Sequence, residues 1–189
     1  MTLATWLTVV TICILGAMSP GPSLALVLKQ TLTGGRRNGI MTALSHGIGV
    51  GIYAFLSILG LAAIITASPT AFSILQWGGA LYLAWLGVKG LMAKRQADDE
   101  LPEPPTTKSA ARDGFLIAFF NPKIAVFFLA LFSQVVGTDT SLMAKFGYAA
   151  TALVIDTSWY LIVAWLFSNP KWLTLLRQKA VWFERIFGA

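Results

Sequence analysis

Long apolar runs dominate this chain, and each run is long enough to cross a lipid bilayer. No Lys, Arg, Asp or Glu occurs from Met1 to Leu28 or from Asn38 to Val88. A membrane-spanning helix needs about 20 mainly apolar residues, so the second run can cross twice. The pattern predicts five spans, at residues 4–30, 39–66, 70–91, 114–136 and 146–168.

Composition supports the same interpretation. The chain is 56% hydrophobic and 12% charged, whereas soluble domains carry about 25% charged residues. The predicted fold is therefore an all-α, polytopic membrane helix bundle. The net charge of +6 does not indicate nucleic-acid binding, because the basic residues fall in short loops between apolar segments.

Two segments differ from the predicted spans. Residues 94–113 are charged and partly proline-rich, which predicts a cytoplasmic linker between a first repeat, 1–93, and a second repeat, 114–189. Residues 171–189 mix basic, aromatic and aliphatic side chains, so we expect an amphipathic helix at the membrane interface instead of a sixth span.

Proline interrupts two of the apolar runs, at Pro20-Gly21-Pro22 and at Asn121-Pro122-Lys123. A proline inside a helix costs about 3 kcal/mol, and in hydrocarbon the freed backbone groups need protein or a water-filled cavity as partners. One break in each half of the chain is typical of inverted three-helix repeats that hold a substrate between broken helices. The alternative is a pair of kinks that serve packing alone.

The residues around the breaks are the candidate binding groups. A helix that restarts after proline exposes free N–H groups and a positive dipole end, which suit a carboxylate. The substrate-binding candidates are Pro20, Gly21, Pro22, Ser23, Asn121, Pro122 and Lys123. Lys123 has three alternative roles: binding a carboxylate, pairing with an internal acid, or snorkelling to the interface.

Two further ionisable residues lie inside predicted spans. Asp156 is a candidate for proton coupling or for binding a substrate ammonium group, or it forms a structural ion pair with Lys123. His46 is either a proton relay or a hydrogen-bonded packing residue. With one Cys and one His in the chain, we expect no disulfide, no metal site and no cofactor.

Basic residues also predict the orientation. The first loop, the central linker and the C-terminal segment are rich in Lys and Arg, whereas Lys145 is the single basic residue predicted on the other side. Cytoplasmic loops carry the excess of Lys and Arg, so we expect the N-terminus outside and the C-terminus in the cytoplasm. No basic residue precedes Lys29, which argues against a cleaved signal peptide.

Several motifs resemble the LysE/RhtB-type amino-acid exporter family over nearly the whole chain. They are Met18-Ser19-Pro20-Gly21-Pro22-Ser23, the loop 34–39, residues 79–87, and Gly114-Phe115 followed by Phe120-Asn121-Pro122-Lys123. The resemblance implies a bacterial inner-membrane exporter with six hydrophobic helices. This chain departs from it at Ser133, where the family usually has proline, and at its end, where the resemblance implies that the last helix is missing.

Together these features predict a secondary transporter and not an enzyme. It would export an amino acid or a derivative across the bacterial inner membrane, driven by the proton motive force, with Asp156 and His46 coupling the proton. Its expected partners are the small-molecule substrate and the lipid bilayer, with no nucleic acid; a homodimer is left open. The alternative is a truncated, non-transporting membrane protein that needs a partner to supply the missing helix.

Overall fold

All regular secondary structure in the described part of the chain is helical. The computed structural model describes residues 2–68, 70, 73–74, 77, 81, 106–137 and 139–169. Most of the predicted third span, most of the linker and the segment 171–189 lie outside these residues. The helices are α1 (Leu3–Met18), α2 (Pro22–Ala67), α3 (Thr107–Phe119), α4 (Pro122–Val135) and α5 (Leu142–Phe167).

Side-chain caps begin four of these helices where the sequence changes character. The hydroxyls of Thr2, Thr106 and Ser141 each accept a hydrogen bond from the backbone N–H three residues later. The Asn121 carboxamide accepts one from Lys123 N, and Pro122 follows at the first helical position, where a missing N–H costs nothing. Local sequence therefore fixes these helix starts.

The predicted membrane character is confirmed for the described helices. Pro22–Gly60 and Leu142–Phe167 are each long and apolar enough to cross a bilayer. Thr107–Phe119 and Pro122–Val135 meet at a bend of 48° and together form a further candidate span that is broken in the middle. The all-α membrane bundle predicted from composition is the fold observed.

Helix α2 reverses direction at Gly35. This residue has φ 76° and ψ 177°, a conformation that glycine adopts without strain, and it separates residues 22–34 from residues 36–67. The two parts then run side by side, with Val27 and Ala43 in one buried cluster. The predicted first two spans thus correspond to α1 with residues 22–34, and to residues 36–67.

One predicted boundary is wrong. We placed residues 107–113 in the linker, but helix α3 begins at Thr107. The charged side chains of this stretch suggested a solvated segment, although Ala110 and Gly114 on the same turns are buried against α2. A Cβ on Gly114 would lie 2.5 Å from the Thr42 carbonyl oxygen, so the two helices touch along a stripe of small residues.

The bundle has two chemically different ends. At the first, which we call the basic end, Arg36 Nε donates to Ser168 Oγ at 2.9 Å and Thr107 Oγ1 donates to Asn38 Oδ1 at 2.9 Å. At the opposite end, Trp6 Nε1 donates to Thr151 Oγ1 at 3.1 Å. The basic end carries the basic residues Lys29, Arg36, Arg37, Lys108 and Arg112.

Candidate functional site

The two proline breaks meet in the middle of the bundle. Lys123, just after the second break, donates from Nζ to the Pro20 carbonyl at 2.9 Å and to Ser19 Oγ at 2.7 Å. Its side chain lies across Gly21, where an added Cβ would be 3.4 Å from Nζ. The lysine of one break therefore satisfies the carbonyl that the other break exposes.

A second contact joins the breaks through Asn121. Its carboxamide oxygen accepts from Lys123 N at 3.0 Å, which points the Nδ2 group towards Ser23 Oγ at 3.4 Å. Both Asn121 and Ser23 are buried, with exposures of 6% each. All seven predicted binding residues lie at this junction. Pro22 and Pro122 begin the two restarted helices. The other five make or border the contacts between the breaks, namely Pro20, Gly21, Ser23, Asn121 and Lys123.

Ser23 continues the network to His46 and Asp156. The Ser23 Oγ lies 2.8 Å from His46 Nε2, and His46 Nδ1 lies 2.7 Å from Asp156 Oδ2. The His46 side chain is 1% exposed and that of Asp156 is 11% exposed. Three helices thus supply a continuous chain of hydrogen bonds from Asn121 to Asp156.

The predicted alternative pairing of Asp156 with Lys123 is wrong. Asp156 pairs with His46, whereas the Lys123 ammonium binds two neutral groups, and no carboxylate among the described residues pairs with it. Charge attraction alone would favour the lysine, but Lys123 restarts α4 and its chain reaches back to the first break. The same two contacts hold the ammonium group at the junction of the two breaks, whereas snorkelling would carry it towards the membrane interface.

The position of the network follows from the two hydrophobic clusters that flank it. Along α2, Ala43 belongs to a cluster near the basic end and Val50 to a larger one at the opposite end, with His46 between them. Along α5, Ala152 and Tyr160 bracket Asp156 in the same way. The hydrogen-bonded network from Asn121 to Asp156 therefore lies between two hydrophobic clusters, near the middle of the bundle.

Both charge states of His46 keep both of its hydrogen bonds. When the ring is neutral, Nδ1–H donates to the Asp156 carboxylate and Nε2 accepts the Ser23 hydroxyl proton. When the ring is charged, Nε2–H donates to Ser23 Oγ, and the Ser23 hydroxyl group rotates so that its proton no longer points at the ring. The geometry therefore offers hydrogen-bond partners to the His46 ring in either charge state.

Tyr160 and Thr157 belong to this site although the sequence did not single them out as functional. The Tyr160 ring packs edge-on against the His46 ring at a centroid distance of 4.9 Å. Thr157 packs against Gly47, where a Cβ would lie 2.9 Å from the threonine Cβ. Tyr160 follows Asp156 by one helical turn, which is the signal that could have found it.

Comparisons with known proteins agree on one family. The sequence profile of the LysE type translocators matches residues 14–189. The threonine efflux protein of Escherichia coli strain K12 is 30% identical over 189 aligned positions, covering 97% of this chain and 92% of that protein. The leucine efflux protein of Enterobacter sp. strain 638 is 33% identical over 147 positions, covering 75% and 69%. No solved structure matches the chain.

Proposed function

Because the chain belongs to the family of LysE type translocators, we propose that it exports amino acids or their derivatives across the bacterial inner membrane. Members of this family are transporters and not enzymes, and the apolar helices make the chain an integral membrane protein. The names of the threonine and leucine efflux proteins support an amino acid as the substrate class.

The observation that carries this proposal is the hydrogen-bonded chain that joins the two broken helices. Asn121, Ser23, His46 and Asp156 connect the second break to a buried acid through contacts of 3.4, 2.8 and 2.7 Å. Burying ionisable and polar groups inside a membrane protein costs free energy, and such groups mark transport pathways and proton relays.

Lys123 is the proposed anchor for the substrate carboxylate. Its ammonium binds a carbonyl and a hydroxyl, both neutral, so its positive charge is uncompensated among the described contacts. A carboxylate offers it a charge-assisted hydrogen bond, which is roughly twice as strong as one to a neutral acceptor. The junction also lies at the starts of α2 and α4, where the positive ends of the two helix dipoles favour the same charge.

Asp156 and His46 are the proposed coupling pair. Together they carry either no exchangeable proton, with a neutral imidazole beside the carboxylate and a net negative charge, or one proton, as a neutral ion pair. The first state attracts the substrate's ammonium group, whereas in the second the imidazolium cancels the charge of the carboxylate. Proton and substrate then compete for one site, and this competition is what an antiporter driven by the proton motive force requires.

Transport assays test the proposal directly. The chain, expressed in cells exposed to a panel of inhibitory amino acids, is expected to restore growth against at least one of them. The purified chain in lipid vesicles is then expected to move that amino acid uphill when a pH gradient is imposed. Asp156→Asn keeps the shape of the acid but cannot exchange a proton, so it is expected to abolish uphill movement.

The result that contradicts the proposal is equally concrete. A folded chain, identified by its tryptophan fluorescence, that moves no amino acid across the full panel would exclude export. Movement that does not depend on the pH gradient would leave export standing and exclude the coupling role of Asp156 and His46.

A further inference from the structure

Gln30 is a buried polar residue that the central site does not use. It is 2% exposed and lies on the same face of α2 as Ser23. It follows Ser23 by seven residues, which places it about 10 Å further along the helix, towards the basic end. On the proposed export function, a substrate that enters at the basic end would pass this position on its way to the central junction.

Only the amide nitrogen of the Gln30 side chain has a hydrogen-bond partner among the described residues. Its Nε2 donates to Asp113 Oδ2 at 3.4 Å, while its Oε1 is buried with no hydrogen-bond partner among the described residues. Turning the amide over would place the oxygen against the carboxylate, so the observed orientation is the favourable one. A buried acceptor without a donor destabilises the protein when no ligand supplies that donor.

Asp113 supplies a negative charge beside this acceptor. Its Oδ1 accepts from Arg112 Nε and Nη2 at 3.1 and 3.0 Å, and its Oδ2 faces Gln30. The Arg112 side chain is 69% exposed, so this ion pair between neighbours is weak and easily exchanged. The Asp113 side chain is 33% exposed, which leaves it accessible from the basic end.

Nearby hydroxyl groups do not supply the missing donor. Thr31 donates to the Val27 carbonyl at 2.6 Å, and Thr42 donates to the carbonyls of Asn38 and Ala110 at 2.9 and 3.2 Å. Main-chain oxygens therefore take these protons. The groups beside Gln30 are therefore mainly hydrogen-bond acceptors, namely its own Oε1 and the Asp113 carboxylate. Such a set suits a cationic group with several N–H donors.

We propose that Gln30 and Asp113 form an access subsite for the ammonium group of the substrate amino acid. The ammonium donates to Gln30 Oε1 and Asp113 Oδ2, and the substrate then moves on to the central junction at Ser23. The subsite rests on the proposed export function, and it deepens that function by assigning a separate place where the amino group is recognised.

Transport kinetics test the subsite, with threonine as the probe. Asp113→Asn and Gln30→Met are each expected to raise the KM for threonine about tenfold, the loss of one charge-assisted hydrogen bond, while kcat stays within about twofold. Asp139→Asn is the matched control, because Asp139 is an exposed aspartate at the opposite end and its variant is expected to keep the wild-type KM. Unchanged KM values in both subsite variants would overturn the proposal.

Inhibitors assign the recognised group. Threonine methyl ester keeps the ammonium and N-acetylthreonine lacks it, so only the ester is expected to compete for the subsite of the wild-type chain. That preference is expected to disappear in Asp113→Asn. Competition by sodium chloride equal to that by the ester would mean a simple cation site and would overturn the ammonium assignment.

A binding readout separates this proposal from export itself. The ester is expected to raise the thermal unfolding temperature of the purified wild-type chain but not that of Asp113→Asn. If the wild type transports nothing and the ester still stabilises it in this selective way, export is wrong and the subsite stands. If neither chain responds to the ester, the subsite is wrong.

Discussion

At the scale of the residue, His46 shows what sequence reasoning can and cannot assign. The sequence marks a lone histidine in a span and favours a hydrogen-bonded packing residue over a proton relay. The structure places it between Ser23 and Asp156, which is 110 residues away along the chain. Such a contact depends on how α2 packs against α5, so no local pattern contains it.

Replacing His46 with Gln tests whether the imidazole carries a proton. Gln can still hydrogen-bond to Ser23 or Asp156 but cannot change charge. Uphill export driven by a pH gradient is expected to fall about a hundredfold, the usual contribution of a positioned acid–base group. Exchange of labelled for unlabelled amino acid across the same vesicles, which needs no net proton movement, is expected to persist.

The double variant His46→Gln with Asp156→Asn supplies the control for this prediction. If the two residues act as one proton-carrying unit, removing both costs no more than removing either one. Losses that multiply in the double variant would show independent roles and would contradict a shared proton. Loss of exchange as well as uphill export would indicate damage to substrate binding instead.

Lys123→Met tests the carboxylate anchor. Methionine keeps much of the apolar stem but removes the charge and the two hydrogen bonds to Ser19 and Pro20. We expect transport to lose its dependence on the substrate carboxylate, so that an amino acid and its amide compete equally. Competition by both ligands, measured against a labelled amino acid, reports this change.

A matched variant separates charge from packing at this position. Lys123→Arg keeps the positive charge, so it is expected to retain a preference for the acid over the amide, although its geometry differs. If Lys123→Met keeps the same preference as the wild type, the lysine is a structural link between the breaks and does not bind substrate.

At the scale of the element, the breaks were predictable and their contact was not. Proline within an apolar run indicates an interrupted helix by itself, and the helices do restart at Pro22 and Pro122. The start of α3 was missed because charged side chains on its outer face masked the buried small residues. Helix existence thus follows from local sequence, whereas helix register follows from packing.

Gly47 is a test of that packing. A Cβ at Gly47 would overlap the Thr157 hydroxyl group and lie 2.9 Å from the Thr157 Cβ. Rotating the threonine side chain moves its hydroxyl group but not its Cβ, so it cannot relieve this clash. Gly47→Ala is expected to destabilise the chain by about 1–3 kcal/mol, as overpacked cores do. Thermal unfolding in detergent, followed by tryptophan fluorescence, measures this loss.

Two comparisons make the Gly47 prediction specific. Gly60 lies on the same helix with nothing within 4 Å of an added Cβ, so Gly60→Ala is expected to be neutral or stabilising by up to about 1 kcal/mol. Thr157→Gly, combined with Gly47→Ala, is expected to restore stability. Equal unfolding temperatures for the two alanine variants would contradict the tight contact between α2 and α5.

At the scale of the whole molecule, the two ends of the bundle differ in how they are closed. The opposite end is closed by the larger apolar cluster, which includes Val9, Phe128 and Phe132. The basic end is closed by the smaller cluster and by polar contacts such as Thr107 with Asn38. Water can replace polar contacts at less cost than apolar ones, so we expect the proposed substrate to enter at the basic end.

This asymmetry gives the predicted orientation a functional meaning. An exporter takes its substrate from the cytoplasm, and the excess of Lys and Arg also marks the cytoplasmic side. The count of Lys and Arg residues and the polar contacts at the basic end are independent arguments. Both predict that the basic end faces the cytoplasm. Sequence could provide the first of these arguments, but the second depends on contacts between α2, α3 and α5.

Cysteine labelling tests this orientation without any assay of transport. Cys13 is the single cysteine, so Cys13→Ala gives a background in which one new cysteine reports one position. In intact spheroplasts, a membrane-impermeant maleimide is expected to label Gly137→Cys at the opposite end but not Arg37→Cys at the basic end. Permeabilised cells are expected to give labelling at both positions, because both residues are exposed. The reverse pattern in intact cells would place the basic end outside, and the access subsite would then lie on the side from which an exporter releases its substrate.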